Sequence, residues 1–123
     1  MAVTVRALRE DDYPRWRTLW DGYTHFYDCE LDESVTASTW QRALNPDSAL
    51  FCRVAEIEGK VVGFALCVLH DGTWSTAPIC YLAHLLGPAA ARGAGPGKAL
   101  IDALMEEGKR EGWSKLYWVT RQN

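Results

Sequence analysis

Polar and apolar positions alternate from Val3 to Leu8, with Val3, Val5 and Ala7 on one side, and this period predicts a strand. Asp11 and Asp12 precede Tyr13 and Pro14, an acidic start with proline in the first turn that signals a helix. Trp16, Leu19, Trp20, Tyr23 and Tyr27 then recur at three- and four-residue spacing. They form an amphipathic helix whose aromatic inner face reads as core packing rather than a ligand cage. Ser34 to Leu44 reads as a short helix, ended by Asn45 and Pro46. Ala49 to Ile57 and Val61 to Leu69 are strand candidates joined by a tight hairpin at Glu58, Gly59 and Lys60. Ile79 to Leu86 is apolar almost throughout except for His84, which suits a strand covered on both faces near the middle of a sheet. A small, glycine-rich stretch, Pro88 to Gly97, leads into a helix. Gly97, Leu100, Ile101, Leu104, Met105 and Gly108 share its inner face, and Gly108 suggests close approach to the sheet. Glu106 and Arg110 stand four apart on its outer face. Gly112 ends the helix, and Lys115 to Thr120 forms a last strand.

The predicted order is β-α-α-β-β-β-α-β. Short turns make the earlier strands antiparallel, while strand, glycine loop, helix and strand at the end form a parallel βαβ unit with a right-handed crossover. The fold class is therefore α/β (α+β), a mixed, mostly antiparallel sheet with helices on its faces. At 123 residues the chain is expected to form a single domain. Thirteen Lys and Arg against sixteen Asp and Glu give a net charge of −3, so there is no basic excess of the kind a nucleic-acid binder needs. The longest apolar run, Val61 to Leu69, falls well short of the ~20 residues of a membrane-spanning helix, and the N-terminus shows no signal peptide. Cys29, Cys52, Cys67 and Cys80 lack metal-ligand spacing. They read as reduced thiols of a cytoplasmic protein with no bound metal.

The segment with chemistry in it is Arg92, Gly93, Ala94, Gly95, Pro96, Gly97 and Lys98, between strand and helix. Glycines let several main-chain N–H groups converge, the helix start adds its own, and Arg92 and Lys98 add charge, so the loop suits a diphosphate. A dinucleotide fingerprint begun at Gly93 needs glycine where Lys98 stands. A P-loop ending at Gly97 and Lys98 needs glycine at Arg92 and a hydroxyl residue at Ala99. Both fail; a plain helix-capping turn is the remaining non-functional reading.

Arg92, Gly95 and Gly97 in Arg-x-x-Gly-x-Gly spacing resemble the acyl-CoA signature of the GNAT superfamily of N-acetyltransferases. The hairpin strands, Tyr81 to Gly87 and the strand Leu116 to Thr120 follow in that family's order, so the resemblance covers nearly the whole chain. It implies acetyl-CoA as co-substrate, lying where the Ile79–Leu86 and Lys115–Thr120 strands splay apart. Main-chain groups of Leu85, Leu86 and Gly87 would pair with the pantetheine arm, and residues 93–98 would hold the pyrophosphate. A primary amine would attack the thioester directly.

The chain departs from the family pattern at three places. Where relatives carry Glu-Asp after Tyr-Leu, this chain has Ala83 and His84. Alanine takes no proton; His84 can, and it is the catalytic candidate, with a packed structural histidine as the other reading. By strand alternation it faces away from the side used by position 83. Pro96 removes one N–H from the phosphate loop. The family's next helix, which bears Asn and a thiol-protonating Tyr, would begin near Asn123. The expectation is thus a truncated protein, or a homodimer in which a neighbour covers the open sheet edge. On the acceptor side, Tyr27, Asp28 and Glu30 are the binding candidates, with His25, His70 and Trp74 within possible reach. Carboxylates there suit a small polyamine-like amine or a lysine side chain. The competing reading is a catalytically silent relative that binds CoA or only self-associates.

Overall fold

The computed structural model describes residues 2–87 and 95–119. The elements run β1 (Thr4–Ala7), a 3-10 turn (Glu10–Asp12), α1 (Tyr13–Phe26), α2 (Glu33–Leu44), β2 (Leu50–Ile57), β3 (Lys60–His70), β4 (Ile79–Leu86), α3 (Pro96–Glu111) and β5 (Lys115–Tyr117). They make one five-stranded sheet in sequence order, antiparallel except for the β4–β5 pair, which is parallel across α3. The β2–β3 turn places Glu58 at φ 52° and Gly59 at φ 77°, the double left-handed conformation of a two-residue hairpin. The central strand is β3, not β4. Among the described residues only the three-residue β5 lies outside β4; α3 packs on one face of β4 at Cys80 and Leu82, and α1 meets the other at His84.

Two cores sandwich the sheet. On one face Trp16 and Trp20 of α1 and Trp40 of α2 pack on Cys52, Val54, Phe64 and Leu66. Trp16 and Trp20 stack with centroids 5.2 Å apart, and the Trp20 indole N–H donates to the Thr36 hydroxyl at 3.1 Å, tying α1 to α2. On the other face Leu100 and Leu104 of α3 meet Ala55, Ala65, Cys67, Cys80 and Leu82. Arg53 of β2 clasps Glu107 of α3 through two hydrogen bonds, at 2.9 and 2.5 Å.

Several sequence expectations change. Asp12 does not cap α1; its carboxylate accepts from Arg6 twice at 2.9 Å and from the Arg9 main-chain N–H at 2.8 Å. Gly108 makes room for the Trp113 ring, which folds back within 2.8 Å of where a methyl would stand, rather than for the sheet. Met105 is half exposed, and Glu106 pairs with Lys109 instead of Arg110. The last strand spans Lys115–Tyr117, leaving Trp118 and Val119 outside it, and its predicted end at Thr120 lies outside the described residues.

Candidate active site

The early end of β5 creates the site. β4 and β5 pair only at Ile79–Lys115, Cys80–Leu116 and Tyr81–Tyr117. Beyond Tyr81, β4 runs on to Leu86 with no strand partner on that side among the described residues, so the two strands part as a wedge. Leu85, Leu86 and Gly87 lie along its open flank. A methyl at Gly87 would stand 2.4 Å from the Gly97 nitrogen, so the end of β4 and the start of α3 touch main chain to main chain. That contact brings the α3 N-terminus to the mouth of the wedge. Gly95 is its N-cap, Pro96 fills the first turn and is buried, and Lys98 reaches outward to Asp102 at 2.6 Å. Proline in the first turn gives up an N–H that the helix leaves unbonded in any case. Arg92, Gly93 and Ala94 lie outside the described residues.

A bulge decides where His84 points. Leu66 pairs with His84 and Cys67 with Leu82, so Ala83 is an extra residue in β4. Simple alternation would keep His84 beneath α3 with Cys80 and Leu82. The added residue moves it to the α1 face, opposite Leu66 of the aromatic core. There the imidazole meets Trp20 and Tyr23 edge-on, with centroids 5.6 and 5.3 Å away, and Nδ1 lies 3.1 Å from the Tyr23 hydroxyl. Burial lowers its pKa from the usual histidine value, so the ring is neutral at pH 7. Burial raises that of Tyr23, against a smaller lowering from the Leu85 main chain.

Two cavities flank this pair. One, of about 440 Å³, lies between α1 (Leu19, Gly22, Phe26) and the Leu85–Gly87 stretch; the other, of about 530 Å³, is lined by Trp20, Thr24, Cys29, Leu31, His84 and Val119. Tyr23 and Tyr27 line both. The aromatic stripe of α1 thus grades from core to cavity: Trp16 is buried in the core, Trp20 is buried and lines the second cavity, and Tyr23 and Tyr27 line both. Of the acidic connection, Asp32 caps α2, with its carboxylate on Ser34, and Glu33 holds Arg17 at 2.6 Å. Asp28 and Glu30 are exposed and do not line the cavity; their neighbours Cys29 and Leu31 do, which the charges in the sequence obscured. His25 is exposed. His70 and Trp74 belong elsewhere, with His70 Nε2 on the Tyr117 hydroxyl at 3.0 Å and Trp74 beside a separate hollow with Gly72 and Lys115. Among the described residues, no cluster of His, Cys, Asp and Glu could hold a metal, and no helix is long and apolar enough to cross a membrane.

Comparison with known proteins agrees with this architecture. A model of the acetyltransferase (GNAT) family matches residues 5–123. The D-amino-acid N-acetyltransferase HPA3 of Saccharomyces cerevisiae is 28% identical over 120 residues, spanning 96% of this chain and 74% of that protein. A ribosomal-protein-alanine N-acetyltransferase from Brucella melitensis biovar Abortus 2308 superposes with a TM-score of 0.79 at 24% identity, over 99% of this chain and 82% of the other. The acetyltransferase AAC(6')-Iy, solved with a CoA-containing bisubstrate analogue, gives 0.80 at 18% identity, over 100% of this chain and 82% of its own. These structures share the fold, and the family model shows the kinship: the chain belongs to the GNAT family of acetyl-CoA-dependent N-acetyltransferases.

Proposed function

We propose that this protein transfers the acetyl group of acetyl-CoA directly to a primary amine, in the wedge between β4 and β5. The observation that carries the reading is the flank of β4 beyond Tyr81, unpaired among the described residues and leading to the helix start at Gly95. The residues fit the coenzyme. An extended amide-bearing arm adds to an open strand edge as a further strand would, at Leu85, Leu86 and Gly87. A helix N-terminus with a nearby ammonium suits a diphosphate, taken by Arg92, Gly93, Ala94, Gly95, Gly97 and Lys98, while Pro96 sets the turn without donating. Lys98 exchanges its Asp102 partner for the diphosphate. His84 is the proton acceptor, since Ala83 cannot serve.

Tyr27 and the aromatic lining give a carbon chain a wall to lie on. Asp28 and Glu30, on the outer side of the same connection, draw a distant ammonium. A polyamine-like or lysine-like acceptor combines those features. A homodimer across the β5 edge belongs to the same reading, supported by the exposed side chains of Trp118 and Val119. The free thiols of Cys52, Cys67 and Cys80 support a reducing, cytoplasmic setting. The test is calorimetric titration of acetyl-CoA followed by a free-thiol assay with spermidine and a lysine peptide. Binding with thiol release is expected. Binding without release would leave a silent CoA-binding relative, and absence of binding would remove the reading.

A further inference from the structure

We propose that Tyr23 is a catalytic residue: its hydroxyl, at the junction of the two cavities, relays a proton from the acceptor amine to Nδ1 of His84 and returns one to the departing sulfur. This rests on the acetyl-transfer reading above. Its own evidence is placement. The thioester would arrive along Leu85–Gly87, in the first cavity, and the amine would occupy the second. The reacting atoms must meet where both cavities share a wall, which is Tyr23 and Tyr27. His84 lines the second cavity alone, so it is the less accessible partner to the sulfur. Tyr23 stands between that junction and His84, 3.1 Å from Nδ1. The relay takes the Tyr23 hydroxyl as donor to Nδ1, which makes Nδ1 the acceptor and the imidazole the Nε2–H tautomer. The pair is rigid, packed edge-on against Trp20 and Phe64.

The step balances. As the amine nitrogen bonds to the carbonyl carbon, its N–H proton passes to the Tyr23 oxygen while the Tyr23 proton passes to Nδ1. When the C–S bond breaks, the electron pair leaves on sulfur, Tyr23 protonates it, and the imidazolium restores the Tyr23 proton. An amine that arrives as an ammonium first loses one proton to water. Enzyme, amide and free thiol remain, with no net change at Tyr23 or His84.

Tyr23→Phe removes the hydroxyl and keeps the ring. Expected are a fall in kcat of about a hundredfold or more and an acetyl-CoA affinity within about threefold of the parent. His84→Gln should fall by a similar factor, and the double variant no further than the worse single one, because the two groups act as a unit. Heteronuclear NMR of the imidazole nitrogens in the free protein supplies a readout apart from turnover. Nδ1 of His84 should be unprotonated in the parent, and Tyr23→Phe should shift the ring toward a mixture of tautomers. A parent that turns over while Tyr23→Phe keeps its rate overturns the relay and leaves acetyl transfer standing. A parent that neither binds nor acetylates overturns both. Additive losses in the double variant, or a protonated Nδ1 in the parent, also overturn it.

Discussion

The Gly87–Gly97 contact gives a sharp test of how the site is built. A methyl at Gly87 would lie 2.4 Å from the Gly97 nitrogen, 2.7 Å from its Cα and 3.2 Å from the Pro96 carbonyl carbon. Ordinary contact begins at 3.4 Å, so Gly87→Ala requires a displacement of about 1 Å. Both sides of the contact are main chain, and no side chain can swing away. Overpacking typically costs about 1–3 kcal/mol, and a clash between backbones belongs at the upper end, about 3 kcal/mol. At about 4 °C per kcal/mol that lowers the melting temperature by roughly 12 °C. The reciprocal change differs. A methyl at Gly97 would meet Gly87 no closer than 3.9 Å, and alanine is the better helix former, so Gly97→Ala should leave stability unchanged or slightly higher. Thermal melts followed by circular dichroism, with coenzyme titration of each variant, separate the two. Equal melting temperatures for Gly87→Ala and the parent, or equal losses in both variants, would refute the close docking of β4 against α3.

Three further outcomes follow from other contacts. Hydrogen bonds from Arg6 hold the Asp12 carboxyl below its ordinary range, so this pair stabilises the fold above the unfolded carboxyl value of ~3.9. That contribution disappears as pH falls through the folded value. Asp12→Ala should therefore cost about 3 kcal/mol in urea unfolding at pH 7, and the loss should shrink in acid. Gly95 has φ −90° and ψ 179°, open to any residue, and both Ser and Asp are good caps. Because Gly95 is buried, Gly95→Ser and Gly95→Asp share the steric cost and differ in charge; Asp alone should weaken CoA binding about tenfold or more beyond Ser. Iodoacetamide under native conditions should label Cys29, which is exposed at the cavity, and spare Cys67, Cys80 and Cys52, the last pushed up to about 12 by burial. Mass spectrometry of peptides reads this directly.

Element order, the parallel βαβ unit and the placement of helices on both faces were all legible from periodicity and turn residues. What escaped notice has physical reasons. The β4 bulge carries no glycine or proline, and Ala83 fits smoothly into an apolar run, so alternation put His84 on the wrong face. The stripe Trp16, Trp20, Tyr23, Tyr27 has one period along its length, yet Trp16 and Trp20 are buried while Tyr23 and Tyr27 line both cavities beside the end of β4. The alternation of Asp28 and Glu30 with Cys29 and Leu31 was visible, but the charges are the solvated side and the apolar pair lines the cavity. The role of Tyr23 depends on a contact 61 residues distant in sequence, which no local pattern encodes.

The most direct test of the coenzyme site is a crystal structure with bound CoA. The pantetheine arm should pair with Leu85, Leu86 and Gly87, its sulfur should lie beside the Tyr23 hydroxyl, and the pyrophosphate should rest on the main-chain amides between residues 93 and 98. Density for CoA elsewhere, or those amides turned away from the phosphates, would contradict it.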